Sequence, residues 1–324
     1  MKEEKQNTSS DKKIVVIAGL LAFVIMIASY VAALAQFSGD TFKIETESVS
    51  EIISDETSAE FIQEVSSSPI VEKKYEYYDD FVFENFPYRN VDVVNGSLAV
   101  IKDGANGFPS IDQSKIVNIG QHKTDNVYGL SNMSLVLYEE AIAGIDKFIC
   151  GFFKEVPNNG LIINRGYTSH DKISAEETVI DLTTGYSVQL SIFNSAYKFS
   201  DVEFGFLRDQ AYKYGVIQRY PEGKREYTMH DSDNTVYRYV GLAHSQYMNL
   251  YRLSLEEYID KVRTEKVIEF KSELEENTAY VVYYVPLDEN IQATYVPLPQ
   301  GEQYSYSISG DGGCGFIVVV KVPL

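Results

Sequence analysis

Tryptophan is absent from the 324 residues and cysteine occurs only twice. Two cysteines are too few for a disulfide scaffold or a cysteine-rich zinc module. Positive charge is scarce: 28 lysines and arginines stand against 47 aspartates and glutamates, giving a net charge of −19 and a pI near 4.6. Nucleic-acid binding is excluded as a leading function, because it needs a basic face to neutralise phosphates. What is plentiful is tyrosine, with 25 residues, and apolar side chains, at 44% of the chain. That is the composition of a globular protein, not a disordered one.

The chain changes texture three times. Residues 1–13 form a polar tail ending in Lys12 and Lys13. Ile14 to Ala35 then runs without a charge, long enough to cross a bilayer as a helix. Lysines before it and Asp40, Glu45 and Glu47 after it predict a cytoplasmic tail and an exported remainder. Residues 14–36 therefore read as a single transmembrane anchor, or as a signal, since Ala33-Leu34-Ala35 resembles a signal-peptidase site. Residues 37–74 are acidic and rich in Ser and Thr, the composition of a solvated stalk. The expected placement is a single-pass membrane protein with an extracytoplasmic C-terminal domain.

From about Tyr75 the pattern becomes globular. Ser97–Ile101 reads as a first strand. Leu137–Phe153 carries Ala141, Ile145, Phe148, Ile149 and Phe152 at helical spacing. Leu161–Ile163 and Val188–Ile192 read as strands, and Phe204–Tyr214 as a helix. Gly215–Gln218 and Tyr237–Val240 read as strands, with a helix over Gly241–Leu250. Helices and strands mix without a βαβ rhythm, so the fold class is α+β. After Lys266, Tyr280–Val285, Gln292–Val296, Tyr304–Ile308 and Phe316–Val322 predict a C-terminal β-strand extension over residues 263–324. Residues 75–262 form the main domain. Gly310–Gly315 is glycine-rich but lies between strands, which points to a tight turn and not a phosphate loop. Cys150 lies on the apolar helix face. A Cys150–Cys314 disulfide is left open.

The run "GFLRDQAYKYGVIQRYPEGKREYT" (Gly205–Thr228), "YRYVG" (Tyr237–Gly241) and "LSLEEYI" (Leu253–Ile259) resembles the VanY-type D-alanyl-D-alanine carboxypeptidases. These zinc peptidases trim the terminal D-alanine of peptidoglycan stem peptides. "GYTS" at Gly166–Ser169 and "TTGYSVQL" at Thr183–Leu190 resemble two further blocks of that family. The resemblance covers about Ser97 to Asp260 and implies a central antiparallel sheet that holds a zinc site. It further implies two histidines and an aspartate as zinc ligands, a water in the open position, a glutamate base and an arginine for the oxyanion.

Matched residue by residue, those positions carry other side chains. The histidine and aspartate of the "TTGYSVQL" block fall on Leu182 and Gln189. The second histidine falls on Val236, the glutamate on Asp233 and the arginine on Thr168. Leucine and valine cannot ligate a metal, and glutamine is a poor zinc ligand. The expectation is therefore a pseudoenzyme with no cofactor, in which Tyr167, Tyr186 and Tyr237 line a peptide cleft. Its partner would be a peptidoglycan stem peptide or an envelope protein, on a Gram-positive surface by analogy. Two alternatives stay open. One is an active zinc carboxypeptidase with a relocated metal on His230 and Asp233. The other is a structural adaptor acting through its C-terminal strands. Of the other histidines, His122 and His170 read as surface polar residues, and His244 lies in a helix with no ligand role.

Overall fold

The computed structural model describes residues 75–101, 108–124, 127–172, 180–194 and 196–324, within one compact unit spanning Lys73–Leu324. The expected tail, apolar segment and stalk at residues 1–74 lie outside the described residues. The longest described helix, Glu139–Glu155, has 17 residues and a charged face, against the ~20 apolar residues a span requires. Among the described residues no helix is long and apolar enough to cross a membrane. The single-pass membrane placement is corrected accordingly.

In chain order, β1 (Phe83–Arg89) precedes β2 (Ile116–Asn118), the single-turn α1 (Ile119–His122), β3 (Gly129–Leu130) and β4 (Val136–Tyr138). The long helix α2 (Glu139–Glu155), β5 (Leu161–Arg165) and β6 (Ser187–Ile192) follow. Next come α3 (Gly205–Gln210), β7 (Val216–Tyr220), α4 (Arg225–Thr228) and β8 (Asp233–Tyr239). Helices α5 (Leu242–Tyr251) and α6 (Leu255–Glu265) lead into β9 (Val267–Lys271) and β10 (Thr278–Pro286). The chain ends with β11 (Ala293–Pro299), β12 (Ser305–Gly310) and β13 (Gly315–Pro323).

The central sheet has the order β3-β5-β6-β8-β7 and is antiparallel except for the short β3–β5 pair. Helix α2 packs on one face of it. Its Ala141, Ile145, Phe148, Ile149 and Phe152 meet Ile163, Val188, Leu190 and Tyr237 in one buried cluster. Glu139 and Glu140 in its first turn and Lys154 in its last complement the helix dipole. A side chain at Gly144 would collide with the Tyr239 ring, so the glycine lets helix and sheet approach closely.

The second sheet, β12-β13-β10-β9, is buried on both faces. Alternate residues of β10 and β13 face opposite ways, as strand geometry dictates. Tyr280, Val282, Tyr284, Ile317 and Val319 pack against α5 and α6. Ala279, Val281, Tyr283, Phe316, Val318 and Val320 pack against Phe81 and the β1–β11 ribbon. Double burial explains why these strands read as nearly continuous apolar runs. Residues on either side of Val262 thus share one core. A capping box at Ser254 and Glu257 fixes the start of α6. On β9, the Glu269 carboxylate accepts the backbone N–H groups of Glu76 (2.8 Å), Tyr77 (3.0 Å) and Tyr78 (2.6 Å), pinning the first described residues to this sheet.

Two local expectations change. Ser97–Ile101 is not a strand but a buried irregular segment, because the Arg238 guanidinium takes its carbonyls. Arg238 donates to Ser97 O at 2.8 Å, Ala99 O at 2.9 Å and Gly96 O at 3.4 Å. Phe204–Tyr214 is not one helix. It is α3 followed by a 3₁₀ turn that ends at Gly215, whose left-handed backbone (φ 75°) reverses the chain into β7. The turn at Gly310–Gly315 is closed by Asp311, whose Oδ1 accepts the N–H groups of Gly313, Cys314 and Gly315. Cys150 and Cys314 are not joined in a disulfide.

Candidate functional site

The face of the central sheet opposite α2 carries the motif positions. Gln189 of β6 lies directly across from Val236 of β8, and Arg165 of β5 directly across from Gln189. Directly opposed residues share a face, so Arg165, Gln189 and Val236 form one row across three strands. A bulge at Asn164 sets this register by giving β5 an extra residue between Ile163 and Arg165. Leu182, in the 3₁₀ turn before β6, joins the row from above. Leu182, Val236 and Tyr220 form a separate buried apolar cluster, with exposures of 0%, 0% and 3%. The structure therefore brings together Leu182, Gln189 and Val236, the last of them 47 residues beyond Gln189 in sequence.

Thr168 also reaches this region. Its N–H donates to Leu182 O at 3.3 Å, and its hydroxyl turns back to Gly166 O. Asp233 begins β8. Its Oδ1 accepts the Thr235 N–H at 2.8 Å and the Thr235 hydroxyl at 2.6 Å. The His230 ring lies against the Tyr220 ring, 4.7 Å between centroids. His170 stacks on Phe108 at 4.4 Å. His244 is buried elsewhere, between α5 and α6, where its Nδ1 is 2.6 Å from the Tyr258 hydroxyl. Burial pushes its imidazole down to about 3.

Of the three tyrosines expected in the cleft, only Tyr167 is partly exposed. Tyr237 points into the α2 core, because its neighbour Val236 takes the opposite face. Tyr186 is also in that core, stacked on Tyr138 at 4.7 Å and donating to Glu140 at 2.7 Å.

One feature of the site was not singled out in the sequence. Beside the apolar cluster lies a linked group of charges: the buried Asp181, Arg219 and Arg238, and the partly buried Glu256. Asp181 Oδ1 accepts from Arg219 Nε at 2.8 Å and from Arg238 at 2.7 Å. The Ser187 hydroxyl donates to the other Asp181 oxygen. Arg219 also forms a two-pronged pair with Glu256 of α6, at 2.6 and 3.2 Å. Two cations and two anions make the group neutral. Burial by itself would raise the Asp181 carboxyl, but the Arg238 and Arg219 guanidiniums and the Ser187 hydroxyl outweigh it and hold the group at about 2. The signal available in the sequence was an arginine inside each of two apolar strands, "VIQRY" and "VYRYV". Such a residue is rarely buried unless it is paired.

The chemistry of this donor set does not suit zinc. Leu182 and Val236 offer no lone pair, and Gln189 offers a neutral amide. Among the described residues no three His, Cys, Asp or Glu side chains gather into a group that could hold a metal ion. His230 and Asp233 do not belong to any such group, and Asp233 Oδ1 already accepts from the N–H and hydroxyl of Thr235.

No family model matches the chain. It is 32% identical over 226 residues to a D-alanyl-D-alanine carboxypeptidase of Enterococcus faecium, a match that covers 64% of this chain and 69% of that protein. It is 47% identical over 51 residues to the bifunctional D-Ala-D-Ala dipeptidase and carboxypeptidase VanXYC of Enterococcus gallinarum, over 16% of this chain and 27% of that one. Among solved structures it is similar to the vancomycin resistance D,D-dipeptidase VanXYg in complex with a D-Ala-D-Ala phosphinate analogue. There the TM-score is 0.58 and the identity 21%, covering 74% of this chain and 99% of that one.

Proposed function

The chain belongs to the VanY-type D-alanyl-D-alanine carboxypeptidase family, and we propose that within it this protein is a catalytically inactive member that acts by binding. The ligand is a peptidoglycan stem peptide, or an envelope protein that presents a similar peptide. One observation carries the reading. Leu182 and Val236, at two positions where the family pattern places zinc-binding histidines, are packed with Tyr220 into a closed apolar cluster. A buried imidazole without a metal would leave a nitrogen unpaired, at a cost of about 1–3 kcal/mol. Apolar side chains remove that cost and fill the space. The substitutions at the two positions thus support one another.

The remaining side chains of the pattern fit the same reading. Asp233 is one methylene shorter than glutamate and is held by Thr235. Thr168 stands where the family pattern has an arginine, so no cation at that position meets a developing oxyanion. A water on this face would therefore lack the two histidines, the aspartate and the glutamate that the family pattern places around it.

The test uses the purified full-length protein. Elemental mass spectrometry after zinc loading and desalting should find below about 0.1 equivalents of zinc. Release of D-alanine from acetyl-Lys-D-Ala-D-Ala should be absent, while calorimetry should detect binding of that peptide. Near one equivalent of zinc, or steady release of D-alanine, would overturn the reading.

A further inference from the structure

We infer that the free edge of β12 is a self-association site, where a second copy of this chain adds its own β12 antiparallel and joins the two four-stranded sheets into one. The inference stands apart from the peptide-binding role proposed above and uses none of its residues.

A sheet edge presents unpaired N–H and C=O groups, and proteins blunt such edges with charge, proline, short length or a covering element. Among the described strands that end a sheet, all but one follow that rule. β1 carries Glu84, Pro87 and Arg89, β11 carries Pro297, and β9 carries Glu269 and Lys271. β2, β3 and β4 have two or three residues each, and β7 is packed against α3 and α5. β12 instead reads Ser-Tyr-Ser-Ile-Ser-Gly, with no charge, no proline and a regular register with β13. Ser305, Tyr306 and Ser307 are exposed, Tyr306 by 45%. The free backbone groups follow from the ladder, because only alternate residues of an antiparallel strand bond to a given neighbour. The Asp311 N–H donates to Gly315 O, towards β13, and the Gly310 N–H donates to Asn95 O on the opposite side. Counting back by twos, the N–H and C=O groups of Ile308 and Tyr306 also point away from β13. Asn95 closes the far end of the edge at Gly310. Among the described residues no strand pairs with β12 on that side.

Charge selects the occupant. The chain carries −19, so two copies repel in general and meet only where that repulsion is locally absent. From Gln303 to Val320 the one charged residue is Asp311, which is buried and paired with Arg263 at 2.8 Å. A charged strand laid along this edge would lose its water with no counter-charge to meet. β12 itself brings no charge. The strand is also complementary to itself, as a two-fold interface requires. About an axis at Ser307, Tyr306 stands opposite Ile308 of the second copy, so both sets of free backbone groups are paired at once. The two aromatic–aliphatic pairs that result lie on the face that carries Val318 and Val320.

Sedimentation velocity on the full-length protein should show a dimer that tightens as salt rises, because screening removes the general repulsion. Ser307→Lys places two like charges at the centre of the seam and should weaken the dimer at least tenfold with an unchanged melting temperature. Tyr306→Pro removes an outward N–H but no bond to β13, and should do the same. In a Cys314→Ser background, Ser307→Cys should form a disulfide-linked dimer under mild oxidation, since directly opposed strand positions bring the two sulfurs within reach. Glu302→Cys, in the turn before β12, should not. A monomer at every concentration, a dimer that loosens with salt or ignores both edge variants, or equal cross-linking of the two cysteine variants would overturn the inference. If Tyr306→Pro fails to fold, Ser307→Lys and the cross-link still decide. The inactive-member reading fails on different grounds, by uptake of zinc or release of D-alanine, whatever the oligomeric state.

Discussion

Placing histidine and aspartate at the family's metal-binding positions should give the protein a zinc-dependent stability that the wild type is expected to lack. The perturbation is the triple variant Leu182→His, Gln189→Asp, Val236→His. Gln189 and Val236 are direct cross-strand partners, and Leu182 packs on Val236, so the three side chains already share one small volume. Opposed Cβ atoms about 4.5–5.5 Å apart suit ligands that meet a zinc ion at about 2.0–2.2 Å. Without metal, each new imidazole leaves a buried nitrogen unpaired at about 1–3 kcal/mol, so the two histidines together cost about 2–6 kcal/mol. Zinc at a thousand times its dissociation constant returns about 4 kcal/mol. For a folded unit of this size 1 kcal/mol moves Tm by about 2–4 °C, so zinc should raise the variant's Tm by roughly 8–16 °C. Differential scanning fluorimetry in EDTA and in zinc, on wild type and variant, reads this directly. A wild-type protein that itself gains several degrees with zinc would refute the argument from the donor set. A variant that folds in EDTA yet shows no shift would refute the claim that the three positions form one site.

Asp181→Asn removes one anion from the buried group and leaves Arg219 and Arg238 facing each other with only Glu256, which should cost about 3–5 kcal/mol in urea denaturation. In wild type the Asp181 carboxyl is lowered from 3.8 to about 2, so its stabilisation is complete above about pH 4 and about 2 kcal/mol is lost as pH falls from there to about 2. His244 acts over a higher window. Its native form stays neutral down to about pH 3, whereas the unfolded chain takes up a proton below 6.5, so stability is full above 6.5 and falls with acid. Urea midpoints should show about 3 kcal/mol lost by pH 4.5 from this group, and His244→Asn should flatten that part of the profile. Glu269→Ala strands three backbone N–H groups of residues 76–78 and should cost about 1–3 kcal/mol, read as faster amide exchange confined to that segment.

Much of the fold was legible because burial leaves a periodic record. Helix α2 was readable from Ala141, Ile145, Phe148 and Phe152, and the last strands from their apolar runs. Ser97–Ile101 misled for a physical reason: an apolar run shows that a segment is buried, not how its backbone is satisfied. Here an arginine from β8, distant in sequence, supplies the hydrogen bonds that a strand partner would give. Tyr186 and Tyr237 misled in a related way. A residue's neighbour in a motif need not share its face, and Tyr237 stands back to back with Val236.

The sequence by itself determined the α+β class, the family resemblance, and the identities at Thr168, Leu182, Gln189, Asp233 and Val236, since these depend on local order and spacing. Tertiary structure alone decided that Leu182 and Val236 meet Tyr220 in a sealed cluster, that four linked charges balance beside it, and that a bulge brings Arg165 into line with Gln189. These features depend on strand register and chain closure. A shift of one residue in β5 or β8 would send each side chain to the other face of the sheet without altering a single letter of the motifs.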